Sequence, residues 1–495
     1  MALVFEAIPT EGLASIAYLV GDSSTGTAAI VDPCVDVDRY LTLAQSRRVA
    51  ITHIFETHIH ADMVSGSREL QSHLPNSKIC LSWEGVSDYK QPHLPVHDGD
   101  RFTFGEFVLT ARHTPGPTPE HMAYLLSEKR NPHSPWGVLT GDSLLVNSTG
   151  RVDQSGPERG HHLAEKLYST LRDFYLRLPD GVIVYPGHGP GSPCGLEIGG
   201  RQVSTIGYER LQNPYLQISD LEEFRNFVLS AAPPQPGYFS RMKTINAEGP
   251  DIIGHSLELQ PLTAQAFQQA LEEENTLLAD TRNMFAFGAG HIAGALNLGA
   301  SPVMTIWGGW FLDPEKKILL VVDPHEKENV VRYLQRAGFK NFAGYLEGGM
   351  AAWSSAGYPL QQIPQRSVQQ LREVGNNLQL VDVRSSAEHE QGYIPGAIHI
   401  PLPRLLEQLA RLNPDKPTAV YCAAGYRASL ATSLLRQRGF KNINNIPGSW
   451  EAWREAGYPI AGRAFDTVCI PQVRIPKVVL RPSIPPNGAL ARVAL

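Results

Sequence analysis

The sequence predicts an α/β protein of several domains, and three observations support this prediction. The chain has 495 residues, which at roughly 150 residues per domain suggests about three domains. Apolar residues make up 42% of the chain, enough to build hydrophobic cores. A sequence pattern recurs after about 100 residues in the second half, and strands alternate with helices within each copy. This alternation is typical of a parallel sheet covered by helices.

Charge and cysteine content narrow the possible functions. The net charge is -6 and the pI is near 6.3, which disfavours a nucleic acid or an anionic membrane as partner. The chain has no apolar run long enough to predict a transmembrane helix, and its first residues do not resemble a secretory signal. Five scattered cysteines predict no disulfide framework. We therefore expect a cytoplasmic protein.

Residues 1–245 are predicted to form a two-layer sheet core flanked by helices. Strand-like apolar runs cover residues 15–20, 28–31 and 51–55, and a helical run follows residue 37. Strands and helices then interleave up to the apolar run 182–185. The Pro/Gly-rich stretch 231–237 and the segment after it predict the end of this domain.

Polar loops follow several of these strands and predict a metal site. His58 and His60 lie two residues apart after one strand, Asp142 follows another, and His188 lies in a Pro-Gly-His loop. Loop ligands from distant strand ends can converge on one ion. Asp62 and His188 are expected beside this site, as weaker ligands or proton-handling groups.

The second half consists of two copies of one module, residues 260–360 and 365–465, followed by a Pro-rich tail, residues 466–495. Each copy is predicted to begin with a helix capped by Thr263 or by Ser367, the latter with Gln370 in a capping box. Buried strands are expected near residues 276–279 and 318–322, and near residues 378–381 and 418–421.

Cys422 lies at a junction of strand, loop and helix, where backbone N–H groups and the helix dipole favour an anion. We predict a nucleophilic thiolate at Cys422, with Arg427 closing the loop around a bound group. The intervening small and polar residues form the rest of the predicted loop: Ala423, Ala424, Gly425 and Tyr426. In the first copy we expect Asp323 at the equivalent position, where a carboxylate replaces the thiol.

The second copy resembles a rhodanese domain, because the segments 382–384 and 392–397 and the Cys-x-x-Gly-x-Arg loop match that family. The resemblance implies that Cys422 takes sulfane sulfur from thiosulfate or a persulfide and passes it to a thiol or to sulfite. The first copy resembles an inactive rhodanese-like domain with a structural role.

The order His-x-His-x-Asp, Thr-Pro-Gly, Gly-Asp and Pro-Gly-His resembles the metallo-β-lactamase fold, and within it the persulfide dioxygenases. The resemblance implies an αββα sandwich followed by two rhodanese-like parallel α/β domains. It also implies one Fe(II) ion, with Zn as an alternative, and oxidation of a persulfide to sulfite.

Two residues depart from the family pattern. Met63 replaces a histidine of the dinuclear hydrolases, which argues against a second metal ion. Pro117 stands where the family has an iron-ligating histidine. Three accounts remain open. His60 completes a site with His58 and Asp142, or His113 or His121 supplies the third ligand after a change of the backbone. In the third account the domain binds metal weakly or not at all and acts as a binding scaffold.

The sequence thus predicts a fused sulfur-metabolism enzyme with persulfide dioxygenase and sulfurtransferase activities. A sulfurtransferase with a degenerate first domain and a mononuclear-metal thioester hydrolase are the alternatives. The expected partners are a persulfide, thiosulfate, sulfite and a thiol, either glutathione or coenzyme A, and a second copy of the chain in a homo-oligomer. Arg210 is a weaker candidate for binding a substrate carboxylate.

Overall fold

The structure is a computed structural model that describes residues 3–85, 88–154, 156–232, 234–254 and 259–462. Its strands form two mixed sheets and two parallel sheets, which confirms the predicted α/β class. The Pro-rich tail predicted for residues 466–495 lies outside the described residues. Within the described ranges, no helix has the length and apolarity needed to cross a membrane.

The first sheet has six strands in sequential order. They are β1 (Leu3–Thr10), β2 (Ser15–Asp22), β3 (Thr27–Val31), β4 (Ala50–Phe55), β5 (Lys78–Ser82) and β6 (Leu94–Val96). β1, β2 and β3 pair antiparallel, whereas β3 to β6 pair parallel.

The second sheet also has six strands. They are β7 (Arg101–Phe104), β8 (Phe107–His113), β9 (Met122–Glu128), β10 (Gly137–Gly141), β11 (Ile183–Pro186) and β12 (Ser204–Thr205). The spatial order is β12-β11-β10-β9-β8-β7, and only β10 and β11 are parallel.

The two sheets pack face to face and carry helices on their outer faces. Inward side chains of both sheets, such as Phe55 and Tyr124, form one core. The helices of this domain are α1 (Asp38–Ser46), α2 (Ser67–His73), α3 (Pro157–Asp173), α4 (Ile206–Gln212), α5 (Pro214–Gln217), α6 (Leu221–Ser230) and α7 (Phe239–Glu248). Tyr40 and Leu70 bury the outer face of the first sheet, and Leu167 and Phe224 bury that of the second. The result is the expected αββα sandwich domain.

The expected boundary at residue 245 falls inside α7, because this helix continues across the sandwich domain to Glu248.

The two copies of the repeat form two parallel sheets, which we call the middle module and the C-terminal module. The middle module contains β13 (Pro261–Leu262), α8 (Ala264–Leu271), β14 (Thr276–Asp280), α9 (Met284–Ala289), β15 (Leu296–Asn297), α10 (Met304–Phe311), β16 (Lys317–Val321), α11 (Lys327–Arg336), β17 (Phe342–Leu346) and α12 (Gly349–Ser355). The C-terminal module contains α13 (Val368–Val374), β18 (Gln379–Asp382), α14 (Ser386–Glu390), β19 (Ile398–His399), β20 (Thr418–Tyr421), α15 (Tyr426–Gln437), β21 (Ile443–Asn445) and α16 (Ser449–Glu455). The sheet orders are β13-β17-β16-β14-β15 and β19-β18-β20-β21.

Local sequence explains where the module helices begin. Thr263 caps α8 by accepting a hydrogen bond from the backbone N–H of Ala266, and Ser367 and Gln370 form the predicted capping box of α13. One continuous apolar core spans both modules, from Phe267 to Leu435. The two modules therefore fold as one packed unit.

Candidate active sites

Loops at the ends of three strands carry the predicted metal residues. His58 and His60 follow β4, Asp142 follows β10 and His188 follows β11, and all four side chains are buried. Parallel neighbours in each sheet end at the same edge, so these loops meet where the two sheets face each other.

His58 is held in one protonation state by a chain of hydrogen bonds. The hydroxyl of Thr57 donates to Asp32 Oδ2 over 2.8 Å, so the Nδ1–H of His58 donates to Thr57 Oγ1 over 2.8 Å. The lone pair on His58 Nε2 then faces Asp142 Oδ2 at 3.6 Å. Burial and the nearby imidazoles hold the pKa of His58 well below its usual value. Two facing lone pairs in a buried site favour a cation between them.

His60 lies beside His58, with the two ring centroids 4.5 Å apart. Its Nε2 contacts Glu56 Oε2 at 3.0 Å and Asp32 Oδ1 at 3.2 Å, and against the effect of burial these carboxylates raise the pKa of His60 well above its usual value. Its Nδ1 is buried and has no hydrogen-bond partner among the described residues. A metal ion at Nδ1 would satisfy this atom, so His58, Asp142 and His60 fit a metal ion by donor type.

The three predicted ligands do not form a compact group. Among the described residues, the groups of three whose ligand atoms lie within 4.8 Å of one another are Asp32–Glu56–His60 and Asp62–His188–Cys194. His58 and Asp142 are brought together, whereas the Nε2 atom of His60 is turned towards Asp32 and Glu56, which leaves its Nδ1 atom as the possible ligand. Asp32 and Glu56 were not predicted as site residues, because neither lies in a motif of metal ligands.

His188 connects the two predicted carboxylates of the site. Its Nδ1 lies 2.6 Å from Asp142 Oδ1 and its Nε2 lies 3.1 Å from Asp62 Oδ2. Burial opposes the charged form, but Asp142 and Asp62 raise the pKa of His188 well above its usual value. His188 and Asp62 therefore lie next to the His58–Asp142 pair, as the sequence predicts.

Pro117 is buried beside Asp142 and has no donor atom there. If Gly150 carried a Cβ atom, that atom would lie 3.0 Å from Pro117 Cγ and 3.1 Å from Asp142 Cβ. The three residues are therefore close neighbours. His121 reaches the same region with no change of backbone, its ring 5.3 Å from that of His58.

Both ring nitrogens of His121 are already engaged. Its Nε2 accepts a hydrogen bond from the backbone N–H of Asp142 over 3.0 Å, so its Nδ1–H donates to Thr114 Oγ1 over 2.9 Å. Burial lowers the pKa of His121 to about 3. His113 instead contacts the carbonyl oxygen of Pro119 through Nε2 at 2.8 Å. His121 thus orients the Asp142 backbone, and His113 takes no part in the site.

Helix α7 fixes the loop that carries His58 and His60. The Asn246 side-chain amide donates to the carbonyl oxygens of His60 and Met63, both over 2.8 Å, and its Oδ1 accepts from the N–H of Ser65 over 2.9 Å. The Tyr238 hydroxyl donates to the carbonyl oxygen of Asp62 over 3.1 Å. Sequence analysis missed both residues, since they lie about 180 positions from the loop and carry no motif.

Arg210, the weaker candidate for binding a substrate carboxylate, makes contacts within the sandwich domain. Its guanidinium donates to Asp180 Oδ1 over 3.0 Å and to the carbonyl oxygens of Leu176 and Leu178 over 2.8 and 3.2 Å. These contacts tie the last turn of α4 to the segment 176–180, which precedes β11.

The Cys422 loop, residues 422–427, lies between β20 and α15, as the sequence predicts. Gly425 has φ +119° and donates its N–H to Cys422 Sγ over 3.1 Å. The carbonyl oxygens of Cys422, Ala423 and Ala424 accept hydrogen bonds from the first turn of α16. The carbonyl groups therefore point to α16, and the Gly425 N–H is left to bind sulfur. Cys422 is buried, 1% exposed.

Ser449 supports Cys422 and was not predicted from the sequence. Its Oγ accepts the N–H of Cys422 over 3.1 Å and donates to the carbonyl oxygen of Ile446 over 2.6 Å. Its φ is +45°, in the left-handed region that costs an L-residue about 1–2 kcal/mol. The corresponding residue of the first copy is a glycine, Gly349. This difference between the two copies is the sequence signal that could have identified Ser449.

Arg427 and Glu388 form a two-pronged ion pair at the loop, with two N–O distances of 2.7 Å. Burial alone would raise the pKa of Glu388, but the hydrogen bonds from Arg427 lower it to about 2. Against burial, Glu388 and Cys422 raise the pKa of Arg427. Tyr426 instead contacts the middle module, where its hydroxyl donates to the carbonyl oxygen of Gly299 over 3.1 Å.

The structural register corrects the equivalence predicted for Asp323. Asp280 pairs with Val321 in the middle module, and the equivalent Asp382 pairs with Tyr421 in the C-terminal module. The residue that directly follows the strand is Val322 in the middle module and Cys422 in the C-terminal module, so Val322 stands in the place of the nucleophile. The expected absence of a nucleophilic cysteine at this position of the middle module stands.

Comparisons with known proteins match both halves of the chain. The metallo-beta-lactamase superfamily model matches residues 11–188, and the rhodanese-like domain model matches residues 263–356 and 365–456. Human mitochondrial persulfide dioxygenase ETHE1 is 33% identical over 221 residues, which cover 44% of this chain and 78% of that protein. The chain belongs to the persulfide dioxygenase family, with two rhodanese-like domains fused to it.

Two further relatives help to place the chain. A metallo-beta-lactamase structure from Staphylococcus aureus subsp. aureus COL has a TM-score of 0.63 and 29% identity, covering 70% of this chain and 99% of that chain. A cytoplasmic hydroxyacylglutathione hydrolase from Arabidopsis thaliana is 32% identical over 173 residues, which cover 34% of this chain and 62% of that protein. The match to the first of these extends well beyond the length of the sandwich domain.

Proposed function

We propose that this chain oxidises the outer sulfur of a low-molecular-weight thiol persulfide to sulfite and transfers sulfane sulfur through Cys422. Family membership and the paired rhodanese-like domains support a role in sulfur metabolism. The observation that carries the oxidation is the 3.6 Å contact between His58 Nε2 and Asp142 Oδ2, two buried atoms suited to share a metal ion.

His58, Asp142 and His60 would hold one iron(II) ion, a set of two imidazoles and one carboxylate. Iron(II), when bound, supplies the redox chemistry that lets dioxygen react with sulfur. Thr57 and Asp32 keep His58 in the tautomer with a free Nε2, and His188 orients Asp142 through Oδ1. Zinc would suit the same donors, so the metal content of the purified protein decides between the two ions.

Cys422 carries the sulfur-transfer half of the proposal. Its thiolate attacks the outer sulfur of thiosulfate or a persulfide, and sulfite or the thiol leaves with the bonding electron pair. The Gly425 N–H already donates to Cys422 Sγ and would help to hold the resulting cysteine persulfide. Arg427 brings a positive charge that attracts anionic donors and acceptors. A thiol or sulfite then removes the outer sulfur.

Oxygen uptake tests the oxidation directly. Iron(II)-loaded full-length protein is mixed with glutathione persulfide in an oxygen electrode. We expect His58→Ala to lower the rate by more than the about 10- to 100-fold typical of residues that only support a ligand. His113→Ala is the matched control, since His113 lies on the same segment as Pro117 but outside the site. Equal uptake in wild type and His58→Ala would contradict the proposed site.

Two alternative functions make different predictions. The buried Pro117 beside Asp142 favours a sulfurtransferase whose sandwich domain is a scaffold, which would show sulfur transfer but no oxygen uptake. The similarity to a hydroxyacylglutathione hydrolase favours turnover of a glutathione thioester. Glutathione and coenzyme A persulfides can be compared in the same oxygen assay. We further propose a cytoplasmic homo-oligomer, which fractionation and sedimentation would test.

A further inference from the structure

The loop that carries Cys422 is held from behind by the first turn of α16. Three successive carbonyl oxygens of the loop, those of residues 422–424, each accept a hydrogen bond of 3.0 Å from a backbone N–H of residues 448–451. Among these, the Trp450 N–H donates to the carbonyl oxygen of Cys422 itself. We propose that Trp450 is a positioning residue for sulfur transfer, because its indole fixes this turn of α16 and, through it, the Cys422 loop. The inference rests on the proposed sulfur transfer through Cys422 and deepens it.

The indole of Trp450 packs on a buried and immobile guanidinium group. Arg384 Cζ lies 4.4 Å from the centroid of the Trp450 ring. The Arg384 side chain is 1% exposed and Trp450 is 9% exposed, so water does not weaken this cation–π contact. Arg384 is itself held by both oxygens of Asp382 and by the carbonyl oxygen of Gly392. The backbone of α16 at Trp450 is therefore anchored to a fixed group.

A second aromatic ring connects the same guanidinium to the other side of Cys422. Arg384 Cζ lies 5.6 Å from the ring of Tyr421, which is the last residue of β20 and directly precedes Cys422. The Tyr421 hydroxyl donates to Asp382 Oδ2 over 2.8 Å. Arg384 thus contacts both the residue before Cys422 and the residue whose N–H holds the Cys422 carbonyl group.

The middle module lacks this arrangement. Val321 and Met350 occupy the places of the two aromatic rings. In the described part of the chain, no backbone N–H of residues 348–351 donates to a carbonyl oxygen of residues 322–324. The aromatic rings and the hydrogen bonds to the loop therefore occur together in the module that contains Cys422.

Trp453 offers a matched control on the same helix. Its indole N–H donates to the carbonyl oxygen of Pro459 over 2.8 Å, and Trp353 of the middle module makes the same contact with Pro359 over 3.1 Å. Trp453 is buried to a similar degree as Trp450, 5% against 9% exposed. Because both modules have this contact, it serves their common fold. If Trp450 only fills space in the core, substitutions of the two tryptophans should have the same kind of effect.

The test follows the first turnover of full-length protein with reduced Cys422, mixed with saturating thiosulfate in the absence of oxygen. The Cys422 thiolate bonds to the outer sulfur of thiosulfate, the S–S bond of thiosulfate breaks, and sulfite leaves with the electron pair of that bond. The amount of sulfite reports how many molecules are folded and active. The rate constant of its release reports how well Cys422 is placed in each of them, so a purely structural tryptophan would change the amount and leave the rate constant unchanged.

We expect Trp450→Met, which introduces the residue type of the middle module, to lower this rate constant about tenfold. This loss is smaller than the roughly 100-fold effect that a 1 Å displacement of a reacting group can have. Trp450→Phe keeps an aromatic face over Arg384 and should stay within about threefold of the wild type. Trp453→Phe should lower the midpoint of thermal unfolding and leave the rate constant unchanged.

The outcomes separate this inference from the proposed function. Equal rate constants in the wild type and Trp450→Met would overturn the inference, and so would an equal loss in Trp450→Met and Trp450→Phe. If the wild type released no sulfite in the first turnover, the proposed sulfur transfer would itself be wrong, and the inference would fall with it. Should Trp450→Met fail to fold, Trp450→Leu is measured in the same way, and a wild-type rate constant in that variant would overturn the inference.

Discussion

The middle and C-terminal modules share a buried Asp–Arg ion pair, which we call the clamp, at the carboxyl end of β14 and of β18. Arg282 donates to both oxygens of Asp280 and to the carbonyl oxygen of Gly290, and in the C-terminal module Arg384 does the same with Asp382 and Gly392. The clamp survives in the module that lacks the nucleophile. It therefore serves the fold of both modules, and the Asp-x-Arg pattern carries no information about catalysis.

The differences between the modules identify the residues that serve sulfur transfer. Cys422, Ser449 and Glu388 are replaced in the middle module by Val322, Gly349 and Ala286, following the strand register and the spacing of the repeat. The loop after Val322 also contains Pro324, which has no N–H to offer an anion. Three substitutions and a changed loop thus remove the chemistry while the core of the module is retained.

The largest difference between the modules should appear on removal of the thiol. Cys422→Ser should abolish sulfur transfer from thiosulfate to a thiol, because serine cannot form a persulfide. Adding Val322→Cys to this variant should not restore transfer, since Gly349 and Ala286 lack the supporting groups. Measurable sulfur transfer by Cys422→Ser alone would show that Cys422 is not the nucleophile.

The clamp should be more important for stability in the C-terminal module than in the middle module. Asp382→Asn breaks a buried pair and should lower the free energy of unfolding by about 3–5 kcal/mol. Asp280→Asn should cost less, because Arg282 is 13% exposed and can reach water, whereas Arg384 is 1% exposed. Chemical denaturation of the two variants checks this order, and equal losses would contradict it.

The Arg427–Glu388 pair should give the C-terminal module a pH dependence that the middle module lacks. The pKa of Glu388 falls from 4.5 to about 2 on folding, so its stabilising effect is present above pH 4.5 and is lost as the pH falls towards 2. Glu388→Gln should remove it. Since the Glu388 side chain is 34% exposed and solvent weakens the ion pair, we expect the pair to contribute at most about 1 kcal/mol to the free energy of unfolding.

Unfolding measured between pH 3 and 7 checks this prediction. The difference in unfolding free energy between wild type and Glu388→Gln should be constant above pH 4.5 and should become smaller below it. Exposed Glu390 on the same segment provides the control variant Glu390→Gln. If the difference in unfolding free energy grew as the pH fell, the pKa of Glu388 would be raised on folding and the prediction would be wrong.

The smallest effect is expected when Ser449 is replaced by glycine, which is the residue at the equivalent position of the middle module, Gly349. Ser449→Gly removes the hydroxyl that accepts the Cys422 N–H, a loss of about 1 kcal/mol, but relieves a left-handed residue of similar cost. Stability should therefore hardly change, while sulfur transfer falls several-fold. Ser449→Ala is the informative comparison, because it loses the hydroxyl and keeps the strain, and it should be less stable than Ser449→Gly.

Sequence reasoning succeeded where the signal was local and failed where distant segments meet. The repeat, the capping box at Ser367 and the Cys422 loop are encoded in short stretches, and the structure confirms their placement. The register at Val322 was missed by one residue, because an apolar strand has no internal marker of where it ends. Cys194 and Asn246 could not be predicted, since only the fold brings their segments to the His58 loop.

The products formed from glutathione persulfide and oxygen show whether the two proposed active sites act in sequence. We expect the sandwich domain to form sulfite and Cys422 to join sulfite to a second sulfane sulfur. The iron(II)-loaded wild type should therefore release mainly thiosulfate, whereas Cys422→Ser should release mainly sulfite at a similar rate of oxygen uptake. The same product mixture from both proteins would show that Cys422 does not act on the sulfite formed by the sandwich domain.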